Sequence, residues 1–123
     1  MGQTSRLDYP RRGEVFLVRF DPAEGAEIRR TRPALILQND VGNRFSSLTI
    51  VAAIKSRLKG PLYPVQVPLH APEGGLTVDS VVALNQIRTV DKGRLIRRMG
   101  KLVPETMDRI DHALGVSLAL VDI

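Results

Sequence analysis

Short β-rich runs, separated by proline, glycine and charged residues, constrain the fold of this chain more than any other feature. They are found at 14–20 (EVFLVRF), 34–38, 49–54 (TIVAAI), 64–69 (PVQVPL), 78–83, 85–90 and in the stretch RLIRRMGKLV. Runs of this length and composition predict strands, about six or seven in all. TIVAAI is apolar almost throughout, which indicates a central strand, whereas the prolines of PVQVPL indicate an edge strand. Pro33 is expected to precede the second strand and not to lie inside it.

Helical periodicity occurs only near the end of the chain. Pro104 opens the stretch PETMDRIDHALGVSLAL, which repeats apolar residues at helical spacing. Gly115 predicts an end or a bend in this helix. The segments 21–32 and NDVGNRFSS are expected to be loops. We therefore predict a mainly β fold with a C-terminal helix, in which a small, strongly curved sheet or barrel forms one domain at 12–123 behind a loose tail at 1–11.

Composition excludes several classes of protein. Apolar residues make up 43% of the chain and charged residues 25%, which is ordinary for a globular domain. The longest apolar runs fall far short of the roughly 20 residues that cross a bilayer. The polar start MGQTSRLDYPRRGE lacks the apolar centre of a secretory signal, and the chain has no cysteine. We expect a cytoplasmic protein with no membrane partner.

The charge balance points to a polyanionic partner. Eighteen Lys and Arg against thirteen Asp and Glu give a net charge of +5 and a pI near 10.2. Most of these cations are arginines, whose planar fork suits bidentate phosphate contacts. Nucleic acid is the expected partner. Aromatic residues make up only 4% of the chain, which argues against a sheet that stacks one base on each aromatic.

Most motif-based chemistries are absent. The sequence contains no GxxxxGK[ST], GxGxxG or GxSxG, and neither His70 nor His112 has a partner at zinc-ligand spacing. No metal or cofactor is expected. The remaining feature is RRTRPALILQND at 29–40, where arginines stand directly before an apolar strand. The residues alone leave two interpretations open, a phosphate site and a solvated loop.

Several stretches resemble the MazF/PemK toxins of bacterial toxin–antitoxin systems. They are RRGEVFLVRFDPAEGAE, TRPALILQNDVGNRFSS, TIVAAI, DSVVALNQIRTVDKGRL and ETMDRIDHALGVSLAL, in order from Arg12 to the end. The resemblance implies an SH3-like small barrel of the MazF/PemK/CcdB type. It also implies a homodimeric endoribonuclease that cuts single-stranded RNA at short sequences without a metal, leaving a 2′,3′-cyclic phosphate and a 5′-hydroxyl. A MazE-type antitoxin is the implied inhibitor.

The resemblance also implies catalytic residues. Arg32, in the TRP motif, matches the family's catalytic arginine, and Glu27, in GAE, matches an acidic residue that is the most plausible proton acceptor. An ion pair with Arg29 or Arg30 is the alternative role of Glu27. After the central strand, where the family commonly carries a threonine, this chain has Lys55 followed by Ser56. Either side chain is a candidate for the missing threonine's role.

Further residues are predicted to bind RNA. Arg29 and Arg30 flank the catalytic motif, and the NDVGNRFSS loop offers side chains for hydrogen bonding and stacking of splayed bases. That second group comprises Asn39, Asn43, Arg44 and Phe45. The two asparagines are alternatively turn formers. Gln86 and Arg88, in NQIRT, match a segment near the family's nucleic-acid channel, with strand pairing on an exposed face as the alternative.

The residues leave two other functions open. One is a CcdB-like poison that binds gyrase and performs no chemistry. The other is a basic RNA-binding barrel whose active site has decayed at Lys55, so that RNA is bound but left intact. Cleavage of RNA without any effect on DNA supercoiling separates the nuclease from both.

Overall fold

A computed structural model describes residues 9–20, 31–57 and 60–122 of the chain. The strands are β1 (Glu14–Arg19), β2 (Thr31–Ile36), β3 (Leu48–Ser56), β4 (Gln66–Leu69), β5 (Ser80–Asp91) and β6 (Leu95–Lys101). The helices are α1 (Asp40–Phe45) and α2 (Pro104–Ser117), and short 3-10 turns span Glu73–Gly75 and Lys92–Arg94. Of the predicted tail, residues 1–8 lie outside the described residues. Pro10 is already buried.

All six strands form one antiparallel sheet in the order β4-β5-β3-β2-β1-β6. The end of β5 connects to the start of β6 through the three residues Lys92–Arg94, although three strands separate β5 from β6 within the sheet. So short a connection spans only about 10 Å, so the sheet must curl until its β5 and β6 ends meet. The predicted mainly β fold with a C-terminal helix is confirmed. Within the described residues the hydrogen-bonded order begins at β4 and ends at β6, so the barrel-like sheet stays open.

Two clusters of buried side chains form the core. The larger one lies between the sheet and α2, where Ile110 and Ala113 of the helix meet Leu35, Ala52 and Leu84 of the strands. The smaller cluster fills the inside of the curl and consists of Phe16, Val18, Ala34, Ile36, Val51 and Val90. Because consecutive side chains of a strand point to opposite faces, the two clusters identify the direction of every side chain along β2 and β3.

Pro33 lies inside β2, opposite Leu17 of β1, so the prediction that β2 begins after this proline is wrong. The Leu37 nitrogen donates to the Ile50 carbonyl of β3, and alternate residues of a strand face the same neighbour. The Pro33 nitrogen therefore faces β3 as well. Pairing between β2 and β3 extends only as far as Ala34 and Ala53, so no ladder bond is lost at the proline.

Three further predictions need correction. The segments predicted at 78–83 and 85–90 belong to one strand, β5, which begins at Ser80. It contains a bulge, because Ala52 of β3 pairs with Ile87 whereas the next residue, Ala53, pairs with Ala83. The NDVGNRFSS segment contains a short helix, α1, and is not only a loop. Helix α2 continues past Gly115 to Ser117, because Leu118 closes its last turn by donating to the Leu114 carbonyl. The edge position of β4 and the central position of β3 are as predicted.

Across the described parts of the chain, no helix has the length and apolar character required to span a bilayer.

Candidate active site

A cleft of about 480 Å³ opens where β2 and β3 stop pairing. Arg32 and Pro33 line one side of it, and Ile54, Lys55 and Ser56 line the other. Pairing of these strands ends at Ala34 and Ala53, and continuing the same register by two residues places Arg32 opposite Lys55. Pro33, which has no N–H to donate to β3, is the first residue of β2 beyond the ladder and lies next to Arg32.

Arg32 and Lys55 project to the same face of the sheet. Arg32 alternates with Pro33 and therefore shares the side of Ala34 and Ile36, which belong to the smaller core cluster. Lys55 likewise shares the side of Val51, which belongs to that cluster too. Both cations are partly exposed at the edge of this face. The arrangement places two positive charges on one face of the sheet, on residues that both line this cleft.

Ser56 also lines the cleft, but its side chain points to the same face of β3 as that of Ile54, which belongs to the larger core cluster. Its Cα partner across β5 is Ser80, which is buried and donates its hydroxyl to the Val78 carbonyl. Of the two candidates for the threonine's role, Lys55 is thus the one that shares the face of Arg32.

The far wall of the cleft comes from distant segments, namely Leu76, Thr77 and Val78 before β5 and Met99 of β6. The two approach because neither backbone carries a side chain at the contact. A Cβ on Gly75 would lie 2.1 Å from the Met99 carbonyl oxygen, and one on Gly100 would lie 2.6 Å from the Gly74 carbonyl carbon. Sequence reasoning missed this wall, since no local pattern pairs residues 74–78 with β6.

Arg32 also lines a second cleft, of about 290 Å³. Phe20, Ala53, Gln86, Ile87 and Arg88 complete that cleft. The β5 bulge places Leu84, Asn85 and Gln86 between the two paired residues Ala83 and Ile87, and so presents Gln86 at this point. Gln86 and Arg88, which were predicted to bind RNA, therefore line a cleft together with Arg32. Lys55 shares the first cleft with the same arginine.

The predicted asparagines hold α1 in place. The Asn39 side chain caps the helix by accepting from the Gly42 nitrogen at 2.7 Å. Asn43 is 0% exposed, donates to the Gln38 carbonyl at 2.8 Å and accepts from the Thr49 hydroxyl at 2.7 Å. Lys92 secures the other end by donating to the Asn43 and Ser46 carbonyls. In this structure Asn43 has no surface to offer a base.

Arg44 and Phe45, unlike the buried Asn43, are exposed to solvent. Phe45 is 75% exposed, and the Arg44 guanidinium lies 5.0 Å from the centre of its ring. A flat, exposed pair of this kind is a stacking surface. Neither residue lines the two clefts around Arg32, so the structure does not bring them together with the candidate catalytic residues.

Three predicted residues, Glu27, Arg29 and Arg30, lie outside the described residues, as does the whole segment 21–30. Among the residues that the structure does describe, no group of three or more His, Asp or Glu side chains is placed to hold a metal ion. The chemistry available at the described part of the site is therefore that of fixed cations beside a cleft, with Ser and Thr hydroxyls in its lining.

The chain is similar to known proteins along most of its length. The sequence profile of the PemK-like, MazF-like toxins of type II toxin–antitoxin systems matches residues 11–118. The chain is 45% identical over 112 residues to Endoribonuclease EndoA of Bacillus subtilis (strain 168), covering 91% of this chain and 97% of that protein.

Solved structures give the same result. A mycobacterial endoribonuclease in complex with its cognate antitoxin superposes with a TM-score of 0.74 at 27% identity, covering 91% of this chain and 97% of the other. MazF from Deinococcus radiodurans superposes with a TM-score of 0.72 at 28% identity, covering 90% and 97%. The chain therefore belongs to the PemK-like, MazF-like family of type II toxins.

Proposed function

We propose that this protein is a toxin that cuts single-stranded RNA at short sequences, using the RNA's own 2′-hydroxyl as the nucleophile. That it is an endoribonuclease is supported by the 45% identity to EndoA over nearly the whole chain. The observation that carries the chemistry is that Arg32 and Lys55 follow the last pair of the β2–β3 ladder on the same face and both line one cleft.

In the proposed reaction the 2′-oxygen attacks the adjacent phosphorus and the bond from phosphorus to the 5′-oxygen breaks. A base takes the 2′-hydroxyl proton, and an acid returns a proton to the departing 5′-oxygen. The products are a 2′,3′-cyclic phosphate and a 5′-hydroxyl. The phosphoryl oxygens gain negative charge in the transition state, so fixed cations next to them lower the barrier.

Arg32 is the group that we assign to those phosphoryl oxygens. Its guanidinium stays protonated at any working pH, so it donates hydrogen bonds and does not accept a proton. We assign Glu27 as the base, and Lys55 as a second cation and a candidate proton source for the leaving oxygen. Ser56 is the competing donor at the same cleft. Because protein cations supply the charge, the proposed reaction requires no metal.

RNA recognition is proposed for the second cleft and for the flanking segments. Gln86 and Arg88 line the second cleft beside Arg32 and offer donors to bases or phosphates. Arg29, Arg30, Asn39, Arg44 and Phe45 complete the proposed RNA-binding set. Asn43 is left out of it because its side chain is buried and hydrogen-bonded.

We further propose that the protein acts as a homodimer in the cytoplasm, where its RNA substrate is found, and that a MazE-type antitoxin inhibits it. The mycobacterial relative has been solved with its cognate antitoxin, and MazF of Deinococcus radiodurans has been solved with MazE. An acidic, extended partner segment would complement the cationic clefts around Arg32 and cover the path of the RNA.

The test is to incubate the purified protein with a long, end-labelled single-stranded RNA of varied sequence in EDTA. Cut sites and the chemistry of the new ends are then mapped. Discrete cuts with 5′-hydroxyl ends support the proposal. Intact RNA in EDTA together with cutting in Mg²⁺ would contradict metal independence. RNA that is bound but never cut would instead support the alternative of an RNA-binding barrel without nuclease activity.

A further inference from the structure

Helix α1 is too short to be stable by itself. It has six residues, whereas isolated helices need about 12–15 residues to form even marginally in water. Its last turn also leaves backbone carbonyls without partners inside the helix. The surrounding fold must therefore supply the contacts that hold this helix, and with it the exposed pair Arg44 and Phe45, in place.

Lys92 supplies these contacts at the C-terminal end of α1. Its ammonium donates to the Asn43 carbonyl at 2.6 Å and to the Ser46 carbonyl at 2.8 Å. Arg44 and Phe45 are the two residues between these carbonyls. A cation is favoured at this end of a helix, because the carbonyl dipoles point out of it. One side chain thus fixes the backbone on both sides of the exposed pair.

This pair is a surface suited to an unpaired base. Phe45 is 75% exposed, and the Arg44 guanidinium lies 5.0 Å from the centre of its ring. Proteins stack the bases of single-stranded RNA on aromatic rings and on arginine planes. Val41, one turn earlier, is also exposed, and an apolar surface can instead bind a protein. The guanidinium beside the ring favours RNA, since it can also bind a phosphate.

Helix α1 lies over the face of the sheet to which Lys55 points. Thr49 and Lys55 are six residues apart in β3, so their side chains share one face. The Thr49 hydroxyl donates to the Asn43 side chain of α1 at 2.7 Å. Six residues of strand span about 20 Å at roughly 3.3 Å per residue. A base stacked on Phe45 therefore belongs to a nucleotide some distance from the cut bond.

We propose that Lys92 is a positioning residue for RNA binding, which holds Arg44 and Phe45 where they stack a base remote from the cleaved bond. Lys92 directly follows β5, the strand that carries Gln86 and Arg88 of the second cleft. The lysine therefore ties α1 to the strand that lines that cleft. The inference rests on the proposed ribonuclease function and deepens it.

The experiment uses three RNAs with one mapped cut site: a minimal RNA, one extended on both sides, and one of the same length whose extensions are abasic. The abasic extensions keep the phosphates but offer no base to stack. Lys92→Met is the test variant, since it removes the ammonium but keeps the backbone bond to the Ser47 carbonyl. Lys101→Met is the matched control, since it removes the same charge from an exposed position at the end of β6.

The unaltered protein should have a KM for the extended RNA about fivefold or more below that for its abasic counterpart, an effect typical of one stacked base. Lys92→Met should raise KM for the extended RNA about threefold to tenfold and leave kcat nearly unchanged. The minimal and abasic RNAs should respond little, and Lys101→Met should match the unaltered protein. An effect of Lys92→Met that is equal on all three RNAs, or absent from all of them, would overturn the inference.

A double-mutant cycle with Phe45→Ala tests whether Lys92 acts through the ring. Once the ring is absent, Lys92→Met should cause no further rise in KM for the extended RNA. An undiminished effect in the Phe45→Ala background would show that Lys92 acts by another route, against the inference. Loss of self-association in Phe45→Ala with an unchanged KM would also contradict it, because this face of α1 would then bind a second copy.

Failure of the proposed function is recognised separately. If the unaltered protein cuts no RNA, fluorescence anisotropy measures its affinity for a single-stranded RNA and for the fully abasic counterpart. The same measurement is made on Lys92→Met, Phe45→Ala and Lys101→Met. A preference for the RNA with bases that falls in the first two variants and persists in the third still supports the inference. An equal preference in all four proteins refutes it.

Discussion

Arg32 of β2 and Lys55 of β3 lie on the same face of the sheet and line the same cleft, although pairing of their strands ends two residues earlier at Ala34 and Ala53. The gap begins at Pro33, which faces β3 and has no N–H to donate to it. A sheet that continued its ladder would cross-link the two strands through this position. A residue that cannot donate a ladder bond therefore lies where the cleft opens.

Arg32→Ala is expected to lower kcat for RNA cleavage by at least about 100-fold, the cost typical of losing one transition-state donor. Arg32→Lys should recover only part of the rate, because an ammonium keeps the charge but loses the planar fork. Single-turnover cleavage of an end-labelled RNA measures both. The side chain is partly exposed, so the melting temperature should stay close to that of the unaltered protein.

Near-normal cleavage by Arg32→Ala would remove this residue from the mechanism. Arg97→Ala serves as the charge-matched control and should cut at the unaltered rate, since Arg97 lines neither of the clefts at Arg32.

Lys55→Ala should slow cleavage by roughly 10- to 100-fold, because it removes the second cation beside the phosphoryl oxygens. Ser56→Ala should change the rate less than about threefold, since Ser56 projects to the opposite face of β3. Lys55→Thr tests whether a hydroxyl at this position can replace the ammonium. The rates of all three variants are compared in single-turnover assays at saturating enzyme. A larger effect of Ser56→Ala than of Lys55→Ala would reverse the assignment.

Features that depend on local sequence were predictable. The continuous apolar run TIVAAI gave the central position of β3, the prolines of PVQVPL gave the edge position of β4, and Pro104 marked the start of α2. In each of these cases the outcome depends on the residues of the element itself and on how strongly they avoid water.

Features that depend on distant partners were not predictable. Whether Pro33 fits inside β2 depends on where β3 stops pairing, which no local pattern states. Helix α1 depends on Lys92, whose ammonium donates to the Asn43 and Ser46 carbonyls from the turn after β5. The cleft wall at Thr77 depends on the close approach of Gly75 to Met99.

Asn43→Ala is expected to lower the free energy of unfolding by about 2–4 kcal/mol, because it leaves the buried Thr49 hydroxyl and the Gln38 carbonyl without their partner. Asn39→Ala removes only the exposed helix cap and should cost about 1 kcal/mol. Urea unfolding followed by circular dichroism measures both values. If Asn43→Ala instead left stability unchanged and weakened RNA binding, the predicted base contact would be restored.

Gly75→Ala should both destabilise the fold and disturb the cleft. Gly75 has φ +77°, and a Cβ there would lie 2.1 Å from the Met99 carbonyl oxygen, so the turn at Glu73–Gly75 must move away from β6. Gly60→Ala is the matched control, because Gly60 has φ +115° but nothing within 4 Å of the added carbon. The control isolates the backbone strain of about 1–2 kcal/mol, while the test variant adds the steric clash.

Gly75→Ala should therefore lose more unfolding free energy than Gly60→Ala. Its folded fraction should also cut RNA more slowly, since Leu76, Thr77 and Val78 line the cleft beside Arg32. Equal losses of stability in the two variants would show that the turn can move without cost and that Met99 does not fix this wall.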